Sequence, residues 1–168
     1  MIKQPDVLMF MFLYNSSFTN EQLKANYEYY EPRCIHESSL SPSVHSILAN
    51  QIGKYQEAYN FFGFATRLDL DDYNRNTCEG IHTTSIAAAW VNIVYGFGGL
   101  RSDGAILSIA PTIPEKWTSY SFKISLDDIK LNIKVTKDKL FITNKGDKCT
   151  LKIYNKIVEI DKDMVIER

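Results

Sequence analysis

Two hydrophobic periods divide the chain. Up to about residue 103 the apolar positions recur at helical spacing, and beyond it they alternate with a period of two. Pro5 suits the first turn of a helix, and the run Val7-Leu8-Met9-Phe10-Met11-Phe12-Leu13 is too densely apolar for an exposed one. Thr19-Asn20-Glu21-Gln22 has the form of a capping box. It predicts a helix through Leu23, Tyr27 and Tyr30 that stops before Pro32. Ser41-Pro42 predicts another start, with Ser41 as N-cap, and Gly53 marks its end. A further helix is expected from Tyr55 to about Ala65, and a last one from Thr83 or Thr84 to Gly96. In that last helix Ile86-Ala87-Ala88-Ala89-Trp90-Val91 is apolar on nearly every face, the pattern of a helix buried on all sides.

After the change of period, Ile129, Leu131, Ile133 and Val135 alternate with Lys130, Asn132, Lys134 and Thr136, which predicts a strand with one wet face. Leu140-Phe141-Ile142-Thr143 follows a turn at Lys137-Asp138. Leu151-Lys152-Ile153-Tyr154 follows a second turn at Asn144-Lys145-Gly146-Asp147, and Val158-Glu159-Ile160 closes the series. Short strands and turns at these intervals predict an antiparallel sheet or sandwich. The fold class is therefore α+β, helical first, with a boundary near Asp103-Gly104. Several of the helices lack a polar face and need more neighbours than the chain offers. Either a partner segment covers them or the bundle is small and tightly packed.

Composition narrows the function classes. A hydrophobic share of 45% and a charged share of 23% fit a globular domain. The net charge of −1, without a basic stripe, offers nothing to a nucleic-acid backbone or an anionic membrane. Cys34, Cys78 and Cys149 are widely spaced and form no CxxC pair, so neither a disulfide framework nor a zinc site is expected, and free thiols fit a reducing cytoplasm. His36, His45 and His82 show no metal-ligand spacing, and no metal is expected. The apolar run after Lys3 lacks a signal cleavage pattern and falls short of the ~20 residues of a membrane span.

Three polar clusters lie between the helices. His36-Glu37-Ser38-Ser39-Leu40-Ser41 precedes a helix start, where small hydroxyls either cap the helix or favour an anion beside its free amides. Asp69-Leu70-Asp71-Asp72-Tyr73-Asn74-Arg75-Asn76-Thr77 is acidic and turn-prone. It lacks the order of a calcium loop and reads as a hydrogen-bonded or solvated loop. Glu79-Gly80-Ile81-His82-Thr83-Thr84-Ser85 sets a histidine and three hydroxyls at the last helix start, suited to a structural role or to an anion.

These clusters fall within a longer ordered set: Lys3-Gln4-Pro5-Asp6-Val7, Tyr29-Tyr30-Glu31-Pro32, Val44-His45-Ser46, Arg67-Leu68-Asp69-Leu70-Asp71-Asp72-Tyr73 and Gly96-Phe97-Gly98-Gly99-Leu100-Arg101. Together they resemble the C-terminal part of the family 65 glycoside phosphorylases, which act on maltose, trehalose, kojibiose and nigerose. The resemblance covers nearly all of residues 1–117 and beyond that rests on β character. It implies that residues 1–102 are the last helices of an (α/α)₆ barrel and residues 103–168 a small β-sandwich domain. By the same resemblance Lys3 and Gln4 help hold the non-reducing glucose. Ser38, Ser39 and His82 line a phosphate site, with Thr83, Thr84 and Ser85 as secondary candidates.

The implied reaction is a single inverting displacement. A glutamic acid protonates the glycosidic oxygen while phosphate attacks the anomeric carbon from the opposite face, giving β-glucose 1-phosphate. No cofactor is implied; inorganic phosphate is the co-substrate and an α-linked glucose disaccharide the substrate. None of the glutamates in this chain maps to the acid, which the resemblance puts upstream of Lys3. The chain alone is therefore expected to be inactive, and the upstream half of the barrel or a second copy of the chain are its candidate partners. Two alternatives remain at this point. One is a family hydrolase, which would set a carboxylate where the Ser38-Ser39 loop stands, with Glu37 adjoining it. The other is a non-catalytic split subunit or remnant.

Overall fold

A computed structural model describes residues 1–168 and separates them into two units, Met1–Gly96 and Phe97–Arg168. The period change near Asp103-Gly104 thus lies inside the second unit, after the loop that opens it.

The first unit holds helices α1 (Asp6–Leu13), α2 (Asn20–Tyr30), α3 (Ser41–Gln51), α4 (Tyr55–Arg67) and α5 (Thr83–Val91), the last continuing as a π-helical stretch, Asn92–Phe97. The capping box of α2 forms as its sequence implies: Thr19 Oγ1 accepts from Gln22 N at 3.2 Å and Gln22 Oε1 accepts from Thr19 N at 2.9 Å. Leu8, Met11, Leu23, Tyr27, Val44, Leu48, Ala49 and Ala58 make one core from α1, α2, α3 and α4.

The buried helix is α3, in which every residue from Ser41 to Asn50 is buried, although half of them are polar. Two of its polar side chains reach backbone acceptors: Ser46 Oγ donates to Ala58 O at 2.8 Å and Asn50 Nδ2 to Gly96 O at 2.9 Å. Expected to be buried on all sides, α5 instead leaves Ile86 and Trp90 each 55% exposed. Its apolar pattern records a neighbour that this unit does not supply. Ser41 is also not the cap of α3. Leu40 holds that place with no side-chain bond, and the Ser41 hydroxyl turns toward Cys34, His36 and His45.

In the second unit, β2 (Ser119–Leu126), β3 (Ile129–Thr136), β4 (Lys139–Asn144) and β7 (Asp163–Glu167) form an antiparallel sheet in the order β2-β3-β4-β7. A smaller sheet has the order β1-β5-β6, from β1 (Ser108–Ile109), β5 (Cys149–Ile153) and β6 (Lys156–Ile160). β1 runs parallel to β5, the one departure from the antiparallel expectation; the long excursion between them leaves its direction free. Alternation buries Leu131, Ile133 and Val135 of β3, Leu140 and Ile142 of β4, and Leu151 and Ile153 of β5, one inner face per sheet as in a sandwich. The loop at Asn144, which carries the chain from β4 to β5 in the other sheet, is closed by the Asn144 side chain, which donates to Asp147 O at 2.7 Å and accepts from Gly146 N at 2.9 Å.

Candidate functional site

The chain start is stitched to the segment before α3. Ile2 N donates to Arg33 O at 2.8 Å and Ile35 N to Ile2 O at 3.0 Å, so Lys3 and Gln4, both exposed, follow directly from this bridge. The backbone then turns through His36 at φ +52°, a left-handed conformation that costs a non-glycine residue ~1–2 kcal/mol. This bend sends residues 37–39 back toward α3. Ser38 is buried; its hydroxyl accepts from Leu40 N at 3.3 Å, and its carbonyl accepts from Ser41 N at 3.1 Å. The Ser38 O–H proton remains available to donate outward. Ser39, half-buried, completes the turn.

His82 precedes α5 and is gripped by Asp69. One carboxylate oxygen accepts from His82 N at 2.8 Å, and the other pairs with ring Nδ1 at 2.5 Å. That bond fixes a proton on Nδ1 and leaves Nε2 as the ring atom for a ligand. Hydrogen bonding to His82 holds the Asp69 carboxyl below the usual carboxylate range. The other acids of this loop are also engaged. Arg67 forks onto Asp71 at 2.9 and 2.5 Å, and Asp72 accepts from Thr77 N and Oγ1 at 3.1 and 2.9 Å. Each carboxylate holds a neighbouring group of its own loop, the hydrogen-bonded reading of the acidic run. Among the secondary candidates, Thr83 and Thr84 are exposed, whereas Ser85 is buried and donates to Ala65 O at 2.9 Å. Ser85 is therefore committed to packing.

Helix packing decides where these pieces stand. The tight connection after α3, with Gly53 at φ +85°, reverses the chain, so α3 and α4 are antiparallel. The Ser85–Ala65 bond joins the start of α5 to the end of α4, and the Asn50–Gly96 bond joins the end of α3 to the stretch after α5. Hence α3 and α5 run the same way, and the Ser38-Ser39 turn and His82 stand at the same end of the helical layer. The positive ends of both helix dipoles lie at that end, which favours negative charge there.

One cluster has no signature in the sequence. Cys34, His36 and His45 converge on the Ser41 hydroxyl, because the bend at His36 and the first turn of α3 fold a stretch with no ligand spacing onto itself. His45 is fully buried; desolvation pulls its pKa down to about 4, against the Ser41 carbonyl that accepts from Nδ1 at 2.8 Å. Cys34 and His45 also line a cavity of about 90 Å³ that Ile2, Gln4 and Tyr30 share.

Helices with uncovered apolar faces are followed in this chain by a unit of two sheets. The profile of the glycosyl hydrolase family 65 central catalytic domain matches residues 1–91, and that of the family 65 C-terminal domain matches residues 100–160. The chain belongs to glycosyl hydrolase family 65. An alpha,alpha-trehalose phosphorylase of Thermoanaerobacter brockii is 44% identical over 161 residues, which is 95% of this chain and 21% of that protein. A maltose phosphorylase of Bacillus subtilis (strain 168) is 42% identical over 158 residues, 94% of this chain and 21% of that protein. A solved structure from the human microbiome, provisionally named a kojibiose phosphorylase, superposes with a TM-score of 0.94 at 58% identity, covering 100% of this chain and 22% of that one. The chain thus spans about a fifth of the length of the relatives it matches. No helix is long and apolar enough to cross a membrane.

Proposed function

We propose that this chain supplies the phosphate-binding end of an inverting α-glucoside phosphorylase, acting on a glucose disaccharide such as those named for its relatives. The observation that supports this reading is that the Ser38-Ser39 turn and the Asp69-held His82 stand at the same end of α3 and α5. Phosphate arrives already charged and needs no carboxylate base; it needs donors that offset its charge at the moment of attack. The Ser38 and Ser39 hydroxyls are such donors, and His82, whose Nδ1–H is taken by Asp69, donates from Nε2 in its protonated form. Lys3 and Gln4 hold the non-reducing glucose. A phosphate oxygen bonds to the anomeric carbon as the glycosidic bond breaks on the opposite face. The leaving oxygen takes its proton from a glutamic acid on the remainder of the barrel, and the product is β-glucose 1-phosphate. The reaction requires no cofactor, and three free cysteines, Cys34, Cys78 and Cys149, fit work in a reducing cytoplasm.

The test is an assay on trehalose, maltose and kojibiose with phosphate, run on the chain alone and on the chain joined with the rest of the barrel. Glucose 1-phosphate is expected only from the joined preparation. Free glucose without glucose 1-phosphate would assign the site to hydrolysis instead, and no product from any disaccharide would mark a non-catalytic subunit.

A further inference from the structure

Cys34 Sγ, His36 Nδ1 and His45 Nδ1 lie 3.2, 2.8 and 3.3 Å from one atom, Ser41 Oγ. Cys34 and His45 are buried and His36 is half-buried, and one ligand atom from each lies within 4.8 Å of the others. We propose that this cluster is a binding site for a thiophilic divalent ion of the Zn²⁺ class, which enters when the Ser41 hydroxyl turns out of the centre.

The donor set fits that ion. One thiolate and two imidazoles suit Zn²⁺ and its neighbours and do not suit Mg²⁺ or Ca²⁺. With Zn–S near ~2.3 Å and Zn–N near ~2.0–2.1 Å, the three atoms need to close by roughly 1 Å, a movement of side-chain rotation. Protons balance simply. The Cys34 thiol proton leaves to solvent as the sulfur binds, and the His45 proton moves from Nδ1 to Nε2, an atom with no hydrogen-bond partner. Glu31 Oε1 stands 3.8 Å from His36 Nε2, which has no hydrogen-bond partner, and closing that gap by roughly 1 Å would give the carboxylate–histidine arrangement that orients a metal ligand. The cavity lined by Cys34 and His45 leaves space beside two of the three ligands for a fourth. Occupancy would pin His36, two residues before Ser38.

The experiment titrates the chain with Co²⁺ and Zn²⁺ and follows the cobalt–thiolate charge-transfer band. Exposed Cys78 and the second unit's Cys149 are the competing thiols. A Cys78→Ser, Cys149→Ser variant, with Cys34 as its remaining cysteine, is expected to keep the band and bind one equivalent. Cys34→Ser is expected to lose the band and weaken Zn²⁺ binding at least ~10-fold, the size that loss of even an outer-shell partner has. Ser41→Ala, which clears the centre, is expected to tighten binding. A band that follows Cys78, its absence from the variant retaining Cys34 when circular dichroism shows it folded, or weaker binding by Ser41→Ala would overturn the proposal. The readout is metal binding, so it succeeds or fails separately from phosphorolysis.

Discussion

Asp69 does more for the site than its place in an acidic run suggests. A single carboxylate fixes both the backbone and the ring of His82. Asp69→Asn keeps the size of the side chain, so the fold should stand while the ring loses its orienting partner. On the phosphate reading, the joined enzyme carrying this change should show KM for phosphate raised by ~10-fold or more, with KM for the disaccharide nearly unchanged. Nitrogen NMR of His82 should show the Nδ1–H form giving way to a mixture; an unaltered tautomer with unaltered kinetics would remove Asp69 from the site. A second prediction concerns Gly146, where an added Cβ would stand 1.9 Å from Asp128 O. Gly146→Ala should destabilise the second unit by at least ~1–3 kcal/mol, read as a lowered thermal midpoint. The serines of the 38–39 turn were legible in the sequence because hydroxyls before a helix start are a local signal. The grip of Asp69 on His82 was not, since it spans 13 residues of loop whose path no local pattern fixes.

Among the elements, α3 departs most from its sequence. Its helical span was legible from Pro42 and Gly53, but not its burial, because serine, histidine and asparagine enter a core only when tertiary neighbours offer acceptors such as Ala58 O and Gly96 O. His45 gives that burial a pH signature. Its pKa is about 4 against an ordinary 6.5, so the unfolded chain binds more protons between those values. Stability is full above about pH 6.5 and falls by about 1.4 kcal/mol per unit toward pH 4. Urea midpoints at pH 7 and pH 5 in chelator-treated buffer should separate less in His45→Gln than in the parent chain; equal separations would contradict this. α2 was legible throughout, and Thr19→Ala should weaken it by about 1 kcal/mol through loss of its capping box.

At the scale of the molecule, the uncovered faces are the main feature. Phe10, Leu13 and Tyr14 around α1, and Ile81, Ile86 and Trp90 around α5, are all more than half exposed. Such surface in a chain spanning about a fifth of its relatives suits the face that the rest of a barrel covers. The strand pattern told most of the sandwich: β3 and β5 alternate clearly in sequence and short apolar runs mark β4 and β6, whereas β1 is too short and β7 too exposed to be marked. The central claim is that the Ser38-Ser39 turn and His82 form one phosphate site. Its most direct measurement is KM for phosphate and for the disaccharide in the joined enzyme bearing Ser39→Ala or His82→Ala. The account predicts a ~10- to 100-fold rise for phosphate in each variant, the size of one lost hydrogen bond to a charged group, with the disaccharide nearly unchanged. A rise confined to the disaccharide, or to one of the two variants, would contradict it.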